Sequence, residues 1–131
     1  MLTLTRKKIK ATVEKTDSGF SAFTTDYPVY TTGKNFSELL ENMMEALNLY
    51  FEDDGIRVEP KNINFEIDLK QFFQYYRVIN AKFLAERIGM NPALLSQYVQ
   101  GRKKPSAQQT EKILKGINEI GRELSELSLI S

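Results

Sequence analysis

The sequence predicts an α+β protein, with an antiparallel βββαβ sheet at the N-terminus followed by an all-α domain. Up to residue 69, apolar and polar residues alternate in several short segments, and a helical spacing interrupts them once. Beyond residue 70 the helical spacing continues almost to the C-terminus. A length of 131 residues is enough for one ordinary domain or two very small ones. We place the domain boundary at this change of pattern, which gives domains of residues 1–69 and 70–131.

Alternation and turn residues predict three strands before the first helix. Apolar residues alternate with polar ones from 9 to 13, and residues 16–19 are turn formers that lead into a second strand over 20–25. Pro28 has no N–H to donate to a central ladder. Residues 26–33 are therefore predicted to form a loop and a short edge strand.

One helix and a fourth strand complete this domain. Asn35 and Glu38 have the spacing of a capping box, and apolar residues recur at helical spacing from 39 to 50. From 63 to 69 apolar and polar residues alternate again. The order βββαβ predicts a sheet that carries the single helix on one face.

The two predicted domains differ in charge, although the whole chain has a net charge of +1. Up to Leu69 there are eight basic and twelve acidic residues, a balance of −4. From Lys70 onward there are ten basic and five acidic residues, a balance of +5. This asymmetry predicts a basic partner for the first domain and nucleic acid for the second.

Composition excludes several kinds of active site. The chain has no His and no Cys, which removes disulfide bonds, thiolate nucleophiles, imidazole-based triads and the common zinc sites. Its carboxylates are spread along strands and a helix, so we do not expect them to assemble a magnesium-dependent nuclease site. We predict no catalytic residue, no metal and no cofactor, and we do not expect an enzyme.

No membrane segment is predicted. The longest stretch without a charged residue, 88–101, has 14 residues, whereas a membrane span needs about 20 apolar residues. The basic start of the chain does not run into the apolar block of a secretory signal. We therefore expect a cytoplasmic protein.

Two stretches of the first domain carry a recognisable pattern, since residues 20–33 read FSAFTTDYPVYTTG and residues 40–46 read LENMMEA. These stretches resemble the N-terminal domain of HicB-type antitoxins. In that family a similar strand and loop ending in glycine lead into a helix rich in Glu and Ala. Over residues 7–69 the resemblance implies a truncated ribonuclease-H-like unit that covers a small basic ribonuclease toxin, of the HicA type and of double-stranded-RNA-binding-domain shape.

The first predicted helix and the loop before it are the expected contact surface for that toxin. Aromatic side chains are good interface anchors, and acidic side chains complement a basic partner. The alternative is that the glutamates form only a solvated helix face. The residues predicted to bind the toxin are Tyr27, Tyr30, Glu38, Glu41 and Glu45.

The second domain contains a helix-turn-helix pattern. Asn80 can cap a helix that ends at Gly89, and Asn91 can cap a second helix with Pro92 at its first position. Two short helices joined by a three-residue turn with glycine are typical of a helix-turn-helix. Residues 84–106 resemble the Cro/C1 or Xre type, which implies the following core residues: Leu84, Ala85, Ile88, Met90, Leu95, Tyr98 and Val99.

In such motifs the early residues of the second helix reach base edges, and neighbouring basic residues contact phosphates. Gln97 is suited to adenine, because a glutamine amide can pair bidentately with that base. The predicted base-contacting residues are Asn91, Ala93, Ser96 and Gln97. The predicted phosphate-contacting residues are Lys82, Arg102, Lys103 and Lys104.

Two further helices are predicted on either side of this pair. Asp68 and Gln71 have capping spacing for a helix that runs through Val78, and Ser106 and Gln109 have it for the last helix. The last helix either only closes the helical core or also extends as a dimer seam. The seam would consist of Leu124, Leu127 and Ile130.

Taken together, the two resemblances imply an antitoxin of a type II toxin–antitoxin system. Such a protein would occlude its ribonuclease toxin and bind operator DNA to repress its own operon. We expect a homo-oligomer, either a dimer or a tetramer, because a helix-turn-helix usually acts over two half-sites. The alternative is a stand-alone transcriptional repressor whose N-terminal domain dimerises or senses a small ligand.

Overall fold

A computed structural model describes residues 3–4 and 8–129 of the protein. These residues form a mixed α+β structure with a four-stranded sheet, a two-stranded sheet and five α-helices. The chain divides into two compact units, of which the first ends at Tyr75 and the second begins at Tyr76. The predicted α+β class is confirmed.

The described elements follow the predicted order closely. The strands are β1 (Thr3–Leu4), β2 (Ile9–Thr16), β3 (Gly19–Thr24), β4 (Tyr30–Gly33), β5 (Ile56–Arg57) and β6 (Ile63–Ile67). The helices are α1 (Phe36–Tyr50), α2 (Leu69–Tyr75), α3 (Ala81–Ile88), α4 (Pro92–Val99) and α5 (Ala107–Ser125). The short pairing of β1 with β5 was not predicted, because two-residue strands have too few positions to show an alternation.

Strands β2, β3 and β4 form an antiparallel meander. Val13 of β2 lies opposite Ala22 of β3, so their side chains share the face that becomes buried. Gly19 begins β3 with φ 156°, and a Cβ there would lie 2.2 Å from the carbonyl oxygen of Gly33. Only glycine fits this close approach of two strands.

Helix α1 covers the buried face of the four-stranded sheet. The Asn35 side chain accepts a hydrogen bond from the N–H of Glu38 at 2.8 Å, which confirms the predicted cap. The apolar stripe that follows packs against residues of β2, β3 and β6. The fully buried side chains of α1 are Leu39, Met43 and Leu47.

The four-stranded sheet is mixed, so the prediction of an antiparallel sheet is wrong. Its strand order is β4-β3-β2-β6, and β6 pairs with β2 in parallel, with Ile9 opposite Ile63 and Val13 opposite Ile67. The reason is the connection between β4 and β6. Because β4 runs in the same direction as β2 and α1 carries the chain back across the sheet, the next strand again points along β2.

Side chains of α2 bond to β2 and to the turn that follows it, since the Tyr75 hydroxyl donates to Oδ1 of Asp17 at 2.8 Å and the Gln71 amide bonds to the main chain of Lys15. Gln71 donates from Nε2 to the carbonyl oxygen of Lys15 at 2.8 Å and accepts at Oε1 from the N–H of Lys15 at 2.8 Å. The strand β6 has already ended at Ile67. Gln71 therefore gives β2 the donor and acceptor that a longer β6 would have supplied.

The first unit includes α2, whereas the change of sequence pattern placed the boundary before this helix. Helix α2 ends at Tyr75, not at the predicted Val78. The chain turns at this point, with the N–H of Ile79 donating to the carbonyl oxygen of Tyr76 at 3.1 Å. This turn brings Asn80 into the extended conformation that it needs to cap α3.

The second unit consists of α3, α4 and α5, each of which starts at a predicted cap. The Asn80 side chain accepts from the N–H of Phe83 at 3.1 Å, and the Ser106 hydroxyl accepts from the N–H of Gln109 at 3.1 Å. These bonds satisfy donors that the first turn of a helix leaves without intrahelical partners. Among the described residues, no helix is both long and apolar enough to cross a membrane.

Replacing Gln71 with alanine is expected to lower the free energy of unfolding by about 1–2 kcal/mol, because the main-chain groups of Lys15 lose both partners. Gln74→Ala is the matched control, since Gln74 is an exposed residue of the same helix. Its effect should stay within about 0.5 kcal/mol. Chemical denaturation of both variants measures the difference, and equal effects would contradict the role of Gln71.

Candidate nucleic-acid interface

The turn between α3 and α4 is formed by Gly89, Met90 and Asn91. Gly89 has the left-handed conformation, with φ 70°, and ends α3. The Asn91 side chain then accepts from the N–H of Ala93 at 2.8 Å and of Leu94 at 3.4 Å, which starts α4. The predicted three-residue turn between two short helices is confirmed.

The inward sides of α3 and α4 pack with α5 in a small core. A Cβ on Gly116 of α5 would lie 2.3 Å from Cγ2 of Ile88, so the missing side chain lets α5 approach α3 closely. Five of the seven predicted core residues are buried, whereas Ile88 and Val99 are half-buried. The buried apolar side chains of this core are Leu84, Ala85, Met90, Leu95, Tyr98 and Ile113.

The residues predicted to contact bases lie at the cap of α4 and on its outward side. Asn91, Ala93 and Gln97 are exposed, and Ser96 is half-buried. The side-chain oxygen Oδ1 of Asn91 accepts the two cap bonds, and its side-chain nitrogen Nδ2 takes no part in them and can donate to another group. Gln97 presents an exposed amide with both a donor and an acceptor, which suits it to adenine.

Gln100 belongs to the same surface and was not predicted from the sequence. It is exposed, and its Nε2 donates to the hydroxyl oxygen of Ser96 at 3.1 Å. This bond uses neither Oε1 of Gln100 nor the hydroxyl proton of Ser96, so each can still hydrogen-bond to another group. Its position four residues after Ser96 is the signal that could have found it. The sequence prediction does not include Gln100, because base contacts in such motifs are expected from the first turns of the second helix, and Gln100 lies at the end of α4.

The basic residues after α4 are tied to the end of that helix by main-chain hydrogen bonds. The N–H groups of Arg102 and Lys103 both donate to the carbonyl oxygen of Gln97, at 2.9 and 3.3 Å. Gly101 permits this reversal with φ 76°. Cationic side chains are favourable at the carbonyl end of a helix. All four predicted phosphate-contacting residues are exposed: Lys82, Arg102, Lys103 and Lys104.

The residues predicted to bind a basic partner lie in the first unit and differ in exposure. The ring of Tyr27 packs against the end of α1, with centroid distances of 4.8 Å to Phe51 and 5.7 Å to Tyr50. Tyr30 on the edge strand β4 is 65% exposed. The three glutamates follow one side of α1, where the first is half-buried and the other two are exposed: Glu38, Glu41 and Glu45.

Glu59 and Glu66 of the first unit are paired with basic side chains. Glu66 on β6 lies 3.0 Å from Nζ of Lys10, and Glu59 lies 3.0 Å from a guanidinium nitrogen of Arg57. Within residues 3–4 and 8–129, no group of three or more Asp or Glu side chains is arranged to hold a metal ion. The geometry of these carboxylates is that of exposed ion pairs and helix surface.

The C-terminal end of α5 leaves apolar side chains exposed. Ile113 near its start is buried, whereas Leu124 and Leu127 are 61% and 74% exposed. Ile130, the third residue of the predicted dimer seam, lies outside the described residues. In α5, Ile113 and Gly116 are buried and Ile117 and Ile120 are half-buried, whereas Leu124 in its last turn and Leu127 beyond it are exposed.

Comparison with known proteins adds no relative to this description. No protein-family model matches the chain, and no curated protein or solved structure matches it either. The structural features that bear on function are two surfaces, the outward side of α4 with the basic run that follows it and the acidic side of α1.

Gly116→Ala is expected to lower the free energy of unfolding of the second unit by about 1–3 kcal/mol, because the new Cβ meets Ile88. Gly121→Ala in the same helix is the matched control, since a Cβ there has no neighbour within 4 Å. The control should stabilise the unit by about 0.5–1 kcal/mol through helix propensity. Thermal unfolding of the full chain compares them, and destabilisation by both would refute the close packing.

Proposed function

We propose that the protein is an antitoxin of a type II toxin–antitoxin system, of the HicB kind. Its first unit binds and occludes a small basic ribonuclease toxin, and its second unit binds operator DNA to repress its own operon. The observation that carries this proposal is the surface of α4. There the side-chain amide of Gln97 is exposed, and the main-chain carbonyl oxygen of the same residue accepts from the N–H groups of Arg102 and Lys103.

In the DNA-binding half, α3 and α4 act as a helix-turn-helix with α4 in the major groove. Gln97 reads adenine, while Asn91 and Ser96 donate to base edges or phosphates. The Gln97 carbonyl oxygen holds the main chain of Arg102 and Lys103 at the end of the same helix. Phosphate contacts from these two residues therefore set the position at which Gln97 meets the bases.

In the partner-binding half, opposite charge supports association with a basic toxin. The first predicted domain carries −4, and Glu41 and Glu45 are exposed on one side of α1. Complementary charge raises the rate of encounter and selects against acidic partners. Neutralisation then follows from covering the catalytic surface of the toxin, for which this chain needs no catalytic group.

Two substitutions should separate base reading from phosphate contact. Gln97→Ala should weaken binding to a duplex from upstream of the reading frame by about 1–3 kcal/mol and leave a shuffled duplex unaffected. Lys103→Ala should weaken binding to both duplexes and lower the slope of log K against log salt by about 1. Fluorescence anisotropy over a salt series measures both effects.

Lys34→Ala serves as the control for this experiment, because Lys34 is an exposed lysine of the first unit. It should leave the affinity and the salt slope unchanged. An unchanged slope for Lys103→Ala, or equal losses on both duplexes for Gln97→Ala, would remove α4 and its basic run from the DNA interface.

The toxin partner is tested by co-purification. The tagged full chain, isolated from its own host at low salt, should recover a small basic protein in stoichiometric amount. That protein should cleave RNA once it is separated from the chain. A chain that binds its upstream DNA and recovers no basic protein would instead be the stand-alone repressor.

A further inference from the structure

A groove lies beside the C-terminal end of α1 in the first unit. It has a volume of about 600 Å³ and separates the last turns of α1 from residues 56–60. Met44 and Leu49 line the helix side, and Val58 and Pro60 line the opposite side. Leu49 is 71% exposed, so the groove offers an apolar surface that this unit does not itself bury.

The side-chain amide of Asn48 links α1 to the opposite wall of this groove. Asn48 accepts at Oδ1 from the N–H of Val58 at 2.7 Å and donates from Nδ2 to the carbonyl oxygen of Val58 at 3.1 Å. Val58 itself is 1% exposed. The groove is therefore preformed, which reduces the ordering cost that a ligand would otherwise meet on binding.

The charge around the groove is acidic on the helix side. Glu45 and Glu52 line it and are exposed, while Glu59 on the opposite side is paired with Arg57. The last turn of α1 has no basic residue, and Glu52, Asp53 and Asp54 follow its capping residue Phe51. Cations, not anions, are stabilising at the carbonyl end of a helix.

Acidic residues at this end work against the stability of α1, and Arg57, which also lines the groove, is already paired with Glu59. A counter-charge from a partner would therefore stabilise this end of the helix. Local rules of this kind are commonly broken where a surface is functional. An anionic membrane surface and a nucleic acid are both disfavoured, because they share the sign of the groove's charge. A basic protein segment with apolar side chains complements both the acidic residues of the groove, Glu45 and Glu52, and its apolar lining.

We propose that this groove is the docking site for a basic amphipathic segment of the partner protein. An apolar side chain of the segment packs on Leu49 and Met44. Its Lys or Arg side chains lay their methylene stems along the groove and place their charged ends beside Glu45 and Glu52. The inference rests on the proposed toxin partner, and it extends the acidic side of α1 to the end of that helix.

The test is a titration of the isotope-labelled full chain with a synthetic peptide of alternating Leu and Lys pairs, followed by amide NMR. Saturable shifts should centre on residues 44–60. A matched peptide with Ser in place of Leu should give none, because it lacks the apolar side chains. Leu49→Ala and Glu52→Lys should each raise the Kd of the Leu–Lys peptide by about tenfold or more.

Asp26→Lys is the matched control for charge, since it makes the same change at an exposed acid that does not line the groove. It should alter the Kd by less than about twofold. Thermal unfolding of each variant checks that the fold is retained. Shifts centred elsewhere, equal binding of the Ser peptide, equal weakening by Asp26→Lys, or no saturable binding would each overturn the docking site.

The result of the peptide titration can be distinguished from the result of the co-purification. A basic protein recovered from the host without peptide binding in the groove would place the partner elsewhere on the first unit and overturn only the docking site. Peptide binding in the groove without a recovered basic protein would overturn the toxin partner and leave the groove as a site for basic segments.

Discussion

The burial of α1 against the sheet is the interaction on which the rest of the first unit depends. Three fully buried side chains, Leu39, Met43 and Leu47, fix the helix across the sheet. Because of that crossing, β6 returns beside β2 in parallel. The same packing leaves the opposite side of α1 exposed, with its glutamates in a row and its C-terminal end open to the groove.

In the second unit, too, the packing of one side of a helix leaves its other side exposed. The close approach of α5 at Gly116 buries the inward side of α3 and α4. Once Leu95 and Tyr98 are buried, helical periodicity leaves Ala93 and Gln97 on the outer side. The hydrogen bonds from Arg102 and Lys103 to Gln97 then add positive charge at the end of that outer side. Packing on one side of α4 therefore determines the chemistry of the other.

Much of the fold was readable from short-range patterns. The caps at Asn35, Asn80 and Ser106 and the turn at Gly89 are formed as predicted, because each involves atoms only a few residues apart. The exposure of the predicted DNA-contacting residues also agrees with helical periodicity. The direction of β6 was predicted wrongly, since alternation defines a strand but not the strand beside which it lies.

The amino-acid sequence by itself determined where the helices and the longer strands begin, which sides of them are apolar, and how charge is divided between the two halves. Only the tertiary structure decided the parallel pairing of β6, the bonds from Gln71 to Lys15, and the apolar groove with its acidic rim. The physical reason is the distance along the sequence over which each interaction acts. Caps and periodicity act within one or two turns of chain, whereas these features join residues that are distant in sequence and meet only when the core packs.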